Sequence, residues 1–240
     1  MAVSISSTHL GVAAAAVAYD APHSRLAVAD RGGRLAVFRR DGDSRDWLLA
    51  SNFSLPPGTA QLNRLAWAPS EMGAVLAGGA ADGSLWVWAQ TPEAAPPPSY
   101  GDGSSAAAAE DAAADGEGEE EGAPGSWQLR ARFADSSLSV QALAFAPPEL
   151  GPLLAAAYAD GHVRFYAADA PLAAKAWRLE ADLRACPGGG ACTSLSWREH
   201  SPGLPPLLAV GTATGELAAG DHLPTNPVGM KRGTLFMLMS

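Results

Sequence analysis

One 24-residue phrase is written twice in this chain. Residues 65–88 read LAWAPSEMGAVLAGGAADGSLWVW and residues 143–166 read LAFAPPELGPLLAAAYADGHVRFY, aligned without a gap at an offset of 78 residues. Self-similarity on this scale means one supersecondary unit used several times. A unit this small does not bury its apolar face alone, so neighbouring copies must cover one another.

Each copy has the parts of a three-stranded meander. An alternating run ends on a large aromatic, Trp67 or Phe145. A turn containing proline follows, then an apolar run, Val75–Ala80 or Leu153–Tyr158. The pairs Asp82-Gly83 and Asp160-Gly161 then supply a tight hairpin, because glycine accepts positive φ without steric cost. The closing strands are β-branched and aromatic, ending on Trp88 and Tyr166.

Weaker copies flank these two. The first carries Tyr19, the turn glycine Gly33 and the run Leu35–Phe38; the last carries Trp197, Leu207–Gly211 and Gly215. The turn glycines at 33, 83, 161 and 215 are spaced by 50, 78 and 54 residues. Once the insertion in the long interval is set aside, the spacing approaches the ~40–45 residues of a four-stranded propeller blade. Fourth strands are predicted over Trp47–Phe53, Trp127–Phe133 and Trp177–Leu183. The fold class is therefore all-β: an incomplete β-propeller of about three and a half to four antiparallel blades. The blades fall at approximately 9–55, 60–133, 138–185 and 191–219 within a domain spanning 1–219.

The insertion explains the charge. The chain carries a formal net charge of −9, and the nine acidic residues between Gln90 and Trp127, with no basic one among them, account for all of it. Prolines 96–98, alanines 106–109 and many Gly and Ser make residues 91–125 a segment expected to stay disordered inside the second blade. It is foremost a solvated spacer and, in a sharper reading, a tether for a basic partner.

The chain has no apolar run of the ~18 or more residues that span a bilayer as a helix. No secretory leader is visible at the N-terminus. Two cysteines are too few for a disulfide framework, which favours a reduced, intracellular setting. Cys186 and Cys192 are close enough in sequence to meet, but Pro187 and three glycines point to a loop between them.

Catalytic chemistry is not visible. His9, His23, His162, His200 and His222 lie in turns or loops without metal-ligand spacing, with His162 expected to be exposed. No nucleophile elbow, phosphate-binding loop or Cys-x-x-Cys pair occurs. Asp82 and Asp160 are accounted for by their hairpins, and basic residues are scattered rather than grouped as a nucleic-acid footprint. The reading is no catalytic residue, no cofactor, no metal and no small-molecule substrate. A ligand-binding or enzymatic propeller, the competing class, needs polar groups converging on the channel, where the repeats place Ala and Leu.

Tyr19, Trp67, Phe145 and Trp197 occupy one repeat position and are expected to pack blade against blade. Trp86 and Trp88 are expected on opposite sides of their sheet, one of them exposed as a contact anchor.

The repeats resemble WD repeats, without the Trp-Asp dipeptide: the blade endings read Phe38-Arg39, Trp88-Ala89 and Tyr166-Ala167. Over about residues 9–215 the chain is similar to the propeller nucleoporins of the Y-shaped outer-ring complex, homologues of the COPII coat propeller Sec-thirteen. The resemblance rests on Trp67-Ala68-x-x-Glu71-x-Gly73, Phe145-Ala146-Pro147, Asp160-Gly161-x-Val163-Arg164-x-Tyr166, the run Cys192–Trp197 and His200-Ser201-Pro202. It implies a non-enzymatic scaffold at the nuclear pore and nuclear envelope, serving protein and mRNA transport. It also implies a second assembly that regulates the TOR kinase on vacuolar or lysosomal membranes, and leaves a COPII coat subunit as the alternative. Such propellers are open rings of six blades, closed by a blade that a helical-solenoid protein donates in trans. Carried over, the open edge lies near Val3, Ile5, Leu35, Val37, Phe38, Trp47 and Leu49, with no membrane span and no direct nucleic-acid contact. Strand addition supplies the affinity, because an unpaired sheet edge presents free backbone donors and acceptors.

The pattern stops after Gly215. Residues 216–219 make a feeble strand, and 220–240 match nothing in the repeats. The chain is expected to be a C-terminally truncated product.

Overall fold

A computed structural model describes residues 10–42, 46–91, 125–173, 175–186, 189–198, 206–213 and 236–239. Val3, Ile5, His9, His200, His222, most of the acidic insertion and most of the tail lie outside these residues.

The period-2 runs become strands where the turn chemistry permits. The first sheet is β1 (Ala14–Tyr19), β2 (Arg25–Asp30), β3 (Arg34–Arg40) and β4 (Trp47–Ser54). The second is β5 (Leu62–Trp67), β6 (Val75–Ala80), β7 (Leu85–Gln90) and β8 (Trp127–Phe133). The third is β9 (Val140–Phe145), β10 (Leu153–Tyr158), β11 (His162–Ala168) and β12 (Trp177–Arg184). All three are antiparallel meanders. The fourth sheet has β13 (Cys192–Trp197), β14 (Leu207–Thr212) and β15 (Phe236–Met239), with β15 running parallel to β14 rather than antiparallel as a third meander strand would. Among the described residues the only helical turns are Ser70–Met72 and Pro148–Leu150, one in each copy of the duplicated phrase.

The hairpin turns are set by their aspartates. Asp82 Oδ1 accepts the Ser84 N–H at 3.0 Å, and Asp160 Oδ1 accepts the His162 N–H at 2.9 Å. Gly83 and Gly161 follow at φ +86° and +83°. A Cβ on Gly161 would stand 2.6 Å from the Gly190 carbonyl oxygen, and one on Gly83 would run into the Ser136 and Leu138 carbonyls. Both turns thus lie under the loop that leads into the following sheet.

Register is the same in every complete sheet. Tyr19–Leu26–Phe38–Leu49, Trp67–Leu76–Trp88–Leu129 and Phe145–Leu154–Tyr166–Leu179 are cross-strand rows, and Trp197–Leu208 begins a fourth. A bulge falls between the third and fourth strands at the same step, Val37/Phe38, Val87/Trp88 and Phe165/Tyr166. The first strands β1, β5, β9 and β13 stand side by side. Each row after the first is turned toward the preceding sheet. Trp67, Leu76 and Trp88 pack with Ala27, Ala29, Leu35 and Val37 of the first sheet, and Phe145, Leu154 and Tyr166 pack with Val75, Ala77 and Val87 of the second. Leu208 and Val210 meet Ala155, Val163 and Phe165 of the third. This is sheet-on-sheet packing around a common axis, the propeller arrangement.

Trp86 and Trp88 correct one expectation. Residues two apart on a strand share a face, so both rings turn toward the first sheet, stacked at 6.2 Å with an interplanar angle of 4°. Both are buried, and neither is an exposed anchor. Gly78 makes room for them, since a Cβ there would lie 2.9 Å from the Trp88 ring.

Candidate functional site

The first sheet carries a face that every other sheet hides. Tyr19 occupies the position of Trp67 and Phe145. Those two are 8% and 9% exposed, whereas Tyr19 is 51% exposed, and Val17 on the same face is 57% exposed. The reason is topological: Trp67 and Phe145 have a preceding sheet to pack on, and among the described residues Tyr19 has none. The expected blade-to-blade role holds for Trp67, Phe145 and Trp197 and fails for Tyr19.

An aromatic partner from the fourth strand accompanies each of these rings. Trp127 meets Trp67 edge-on at 5.7 Å, Trp177 meets Phe145 edge-on at 6.0 Å, and Trp47 meets Tyr19 at 5.7 Å. In the second and fourth sheets the indole also donates across the gap, Trp67 Nε1 to the Ala18 carbonyl and Trp197 Nε1 to the Ala144 carbonyl. Arg25, held by Asp20 Oδ2 at 3.0 Å, lies 4.8 Å over the Trp67 ring. Burial opposes ionisation of Asp20, but donors from Arg25 and Ser24 outweigh it and hold the carboxyl below its usual range.

The residues expected at the open edge divide between two faces. Phe38 is buried on the Tyr19 face with Leu26 and Val28, under Leu10, Val12 and the half-buried Trp47. Leu49 is exposed at the rim, as its counterparts Leu129 and Leu179 also are, so its exposure does not mark a site. Leu35 and Val37 point the other way, into the layer against the second sheet, because they alternate with Ala36 and Phe38 along β3. Sequence reasoning overlooked Val17 and Tyr19. The available signal was that no copy of the repeat precedes them among the described residues.

The densest polar cluster lies in the third sheet. The Tyr158 and Tyr166 hydroxyls meet at 2.8 Å, and Tyr166 donates to Asp135 at 3.0 Å. Arg164 bonds Asp160 at 2.8 Å and Asp182 at 3.0 Å; Asp160 also accepts from Ser136, and Asp182 is 2.6 Å from His162 Nδ1. His162 is therefore half-buried rather than exposed. Burial pushes the Tyr158 phenol up to about 12 and Tyr166 higher still. Burial works against ionised Asp160, yet hydrogen bonds from His162, Ser136 and Arg164 keep its carboxyl low. These groups satisfy one another and tie the loop leaving the second sheet to the third. No group of three or more metal-ligating side chains occurs among the described residues.

No known family profile matches the chain. It is 28% identical over 196 residues to nucleoporin SEH1 of Danio rerio and 27% identical over 201 residues to that of Homo sapiens, alignments covering 81% and 82% of this chain. The Saccharomyces cerevisiae SEH1 is 23% identical over 168 residues, 70% of the chain. The chain is similar to the SEH1 nucleoporins, and its fold is a β-propeller of the WD-repeat type. It spans 46% and 47% of the lengths of the first two relatives, just under half. The fold also matches the Myceliophteria thermophila Cps50 (Swd1) β-propeller domain, with a TM-score of 0.51 and 17% identity over 83% of the chain and 50% of that structure. That likeness concerns the fold alone. On the first sheet of this chain the exposed part of the row face is limited to Val17 and Tyr19, beside Leu26, Val28 and Phe38, which are buried.

Proposed function

We propose that this chain is a non-enzymatic scaffold subunit of the nuclear pore outer ring. In this reading its first sheet receives a blade from a helical-solenoid nucleoporin, and its residence is the nuclear envelope. The observation that carries the reading is the exposure of Tyr19 and Val17 at positions where the second and third sheets bury Trp67 and Phe145 and partly bury Leu65 and Leu143. The internal repetition specifies the complement: a β-sheet with alanine-sized residues on its inner strand, as Ala18 offers Trp67, and a carbonyl opposite the Tyr19 hydroxyl. The kinship with SEH1 nucleoporins supports the pore as the setting, with protein and mRNA transport as its consequence. Sharing with a TOR-regulating vacuolar or lysosomal coat complex belongs to the same proposal.

The test is affinity purification of the full chain from nucleated cells, alongside Tyr19→Ser and Val17→Asp variants. Recovery of outer-ring solenoid nucleoporins, lost with either variant, is the expected result. Recovery of COPII coat subunits would replace the setting and retain the docking mode. Capture unaffected by both variants would remove the Tyr19 face from the proposal.

A further inference from the structure

The two cysteines of this chain, Cys186 and Cys192, face each other with their sulfurs 3.9 Å apart. Both are buried free thiols. Cys186 follows β12 and Cys192 opens β13, so the pair bridges the third and fourth sheets in the layer formed by Val163, Phe165, Leu208 and Val210. Backbone contacts, not the sulfurs, hold them there. The Ala185 and Cys186 N–H groups both donate to the Gly161 carbonyl, at 2.9 and 3.0 Å, and Gly189, at φ +86°, returns its N–H to the Cys186 carbonyl at 3.1 Å. A disulfide requires an S–S distance of about 2.05 Å, so closure asks for a shift of roughly 2 Å between two side chains.

We propose that Cys186 and Cys192 form a reversible modification site, a dithiol that a low-molecular-weight disulfide such as oxidised glutathione converts into an intramolecular bond tying the third sheet to the fourth. Neither sulfur is at the surface, so reaction requires a local opening of the layer between the third and fourth sheets. The Cys186 thiolate attacks one sulfur of oxidised glutathione; its S–S bond breaks, one glutathione thiolate leaves and a mixed disulfide forms. The Cys192 thiolate then attacks the Cys186 sulfur, the Cys186–Cys192 bond forms and the second glutathione leaves. Two protein thiols are oxidised, one glutathione disulfide is reduced to two thiols, and the protons end on glutathione. Burial and the neighbouring Cys186 push the Cys192 thiol up to about 12, which disfavours it for the first attack on a reagent. The site is separate from the Tyr19 face and does not rest on the partner reading.

The experiment equilibrates the full chain with glutathione redox buffers, native and in guanidinium, and reads the products by intact mass and thiol count. The native pair should close under conditions at least about tenfold more reducing than the denatured pair requires. The product should be monomeric, lacking two hydrogens and both free thiols. Cys192→Ser should stop at the mass of one bound glutathione, and Cys186→Ser should keep its remaining thiol free. A native pair no easier to oxidise than the denatured one, or native products consisting only of mixed or intermolecular disulfides, overturns the proposal. The native-against-denatured comparison needs no variant, so misfolding of a serine variant does not affect it.

Discussion

Trp67 donates its indole N–H to the Ala18 carbonyl at 3.0 Å, from the end of β5 in the second sheet to β1 in the first. Trp197 repeats the bond from the fourth sheet to Ala144 in the third, at 3.2 Å. Replacing Trp67 with Phe keeps a smaller aromatic ring and removes the donor. The expected cost is about 1 kcal/mol in chemical denaturation. Trp67→Ala also empties a packed site and should cost about 3–5 kcal/mol.

Phe145 holds the same position in the third sheet and has no N–H to give. A cleft bounded by Trp67, Pro69, Glu71, Phe145 and Pro148 opens beside it. Phe145→Trp should raise stability by about 0.5–1.5 kcal/mol through a new bond to Ala66, the counterpart of Ala18. A lower denaturation midpoint at unchanged slope would show that the cleft does not admit the ring.

How far the fold was legible follows from what side-chain pattern encodes. Asp-Gly pairs and alternating runs mark hairpins, and each fourth strand begins at the tryptophan that announced it, Trp47, Trp127 or Trp177. The bonds that join sheets were invisible because their acceptors are backbone carbonyls, which every residue carries. Cys186 and Cys192 look separated by a glycine loop, but Gly189 turns that loop back on itself and brings the sulfurs together. The faces of Trp86 and Trp88 were readable from period 2 and were misassigned. Of the residues expected at the open edge, Phe38 and Trp47 lie on the Tyr19 face, while the exposure of Val17 and Tyr19 depends on which sheet stands beside them and not on local sequence.

Acid should unfold this protein through its depressed carboxyls. Asp20 and Asp160 titrate below their ordinary range in the folded state. Their contribution is fully present above the unfolded value near 3.9 and is lost as pH falls through the lower folded values. Asp160→Asn should flatten the acid limb of a stability–pH curve below about pH 4. At neutral pH it should also cost about 1–3 kcal/mol, because the buried Arg164 retains only Asp182 as a charged partner.

Gly161→Ala should destabilise by more than about 1 kcal/mol, since alanine resists φ +83° and its Cβ meets the Gly190 carbonyl. Gly189→Ala shares the strained φ but has open space around its Cβ. The difference between the two variants in thermal denaturation isolates the contact with the neighbouring loop.

The ends of the acidic insertion are clasped. Thr91 and Gly125 are joined by a 3.0 Å backbone bond, and Gln90 Nε2 reaches the Gly125 carbonyl at 2.8 Å. Excising residues 92–124 and joining the ends with a short turn should leave the second sheet intact and stability equal or slightly higher, because loop closure costs less for shorter loops. A lower association rate with a basic partner at low salt should accompany the deletion if the insertion acts as a tether, and an unchanged rate removes that role.

Gly83 and Gly161 lie beneath chain that follows them in the sequence: Ser136–Leu138 and Gly190 pass across their hairpins. Seating of each successive sheet is therefore coupled to the direction of translation, and an error in one turn is inherited by the sheet synthesised next.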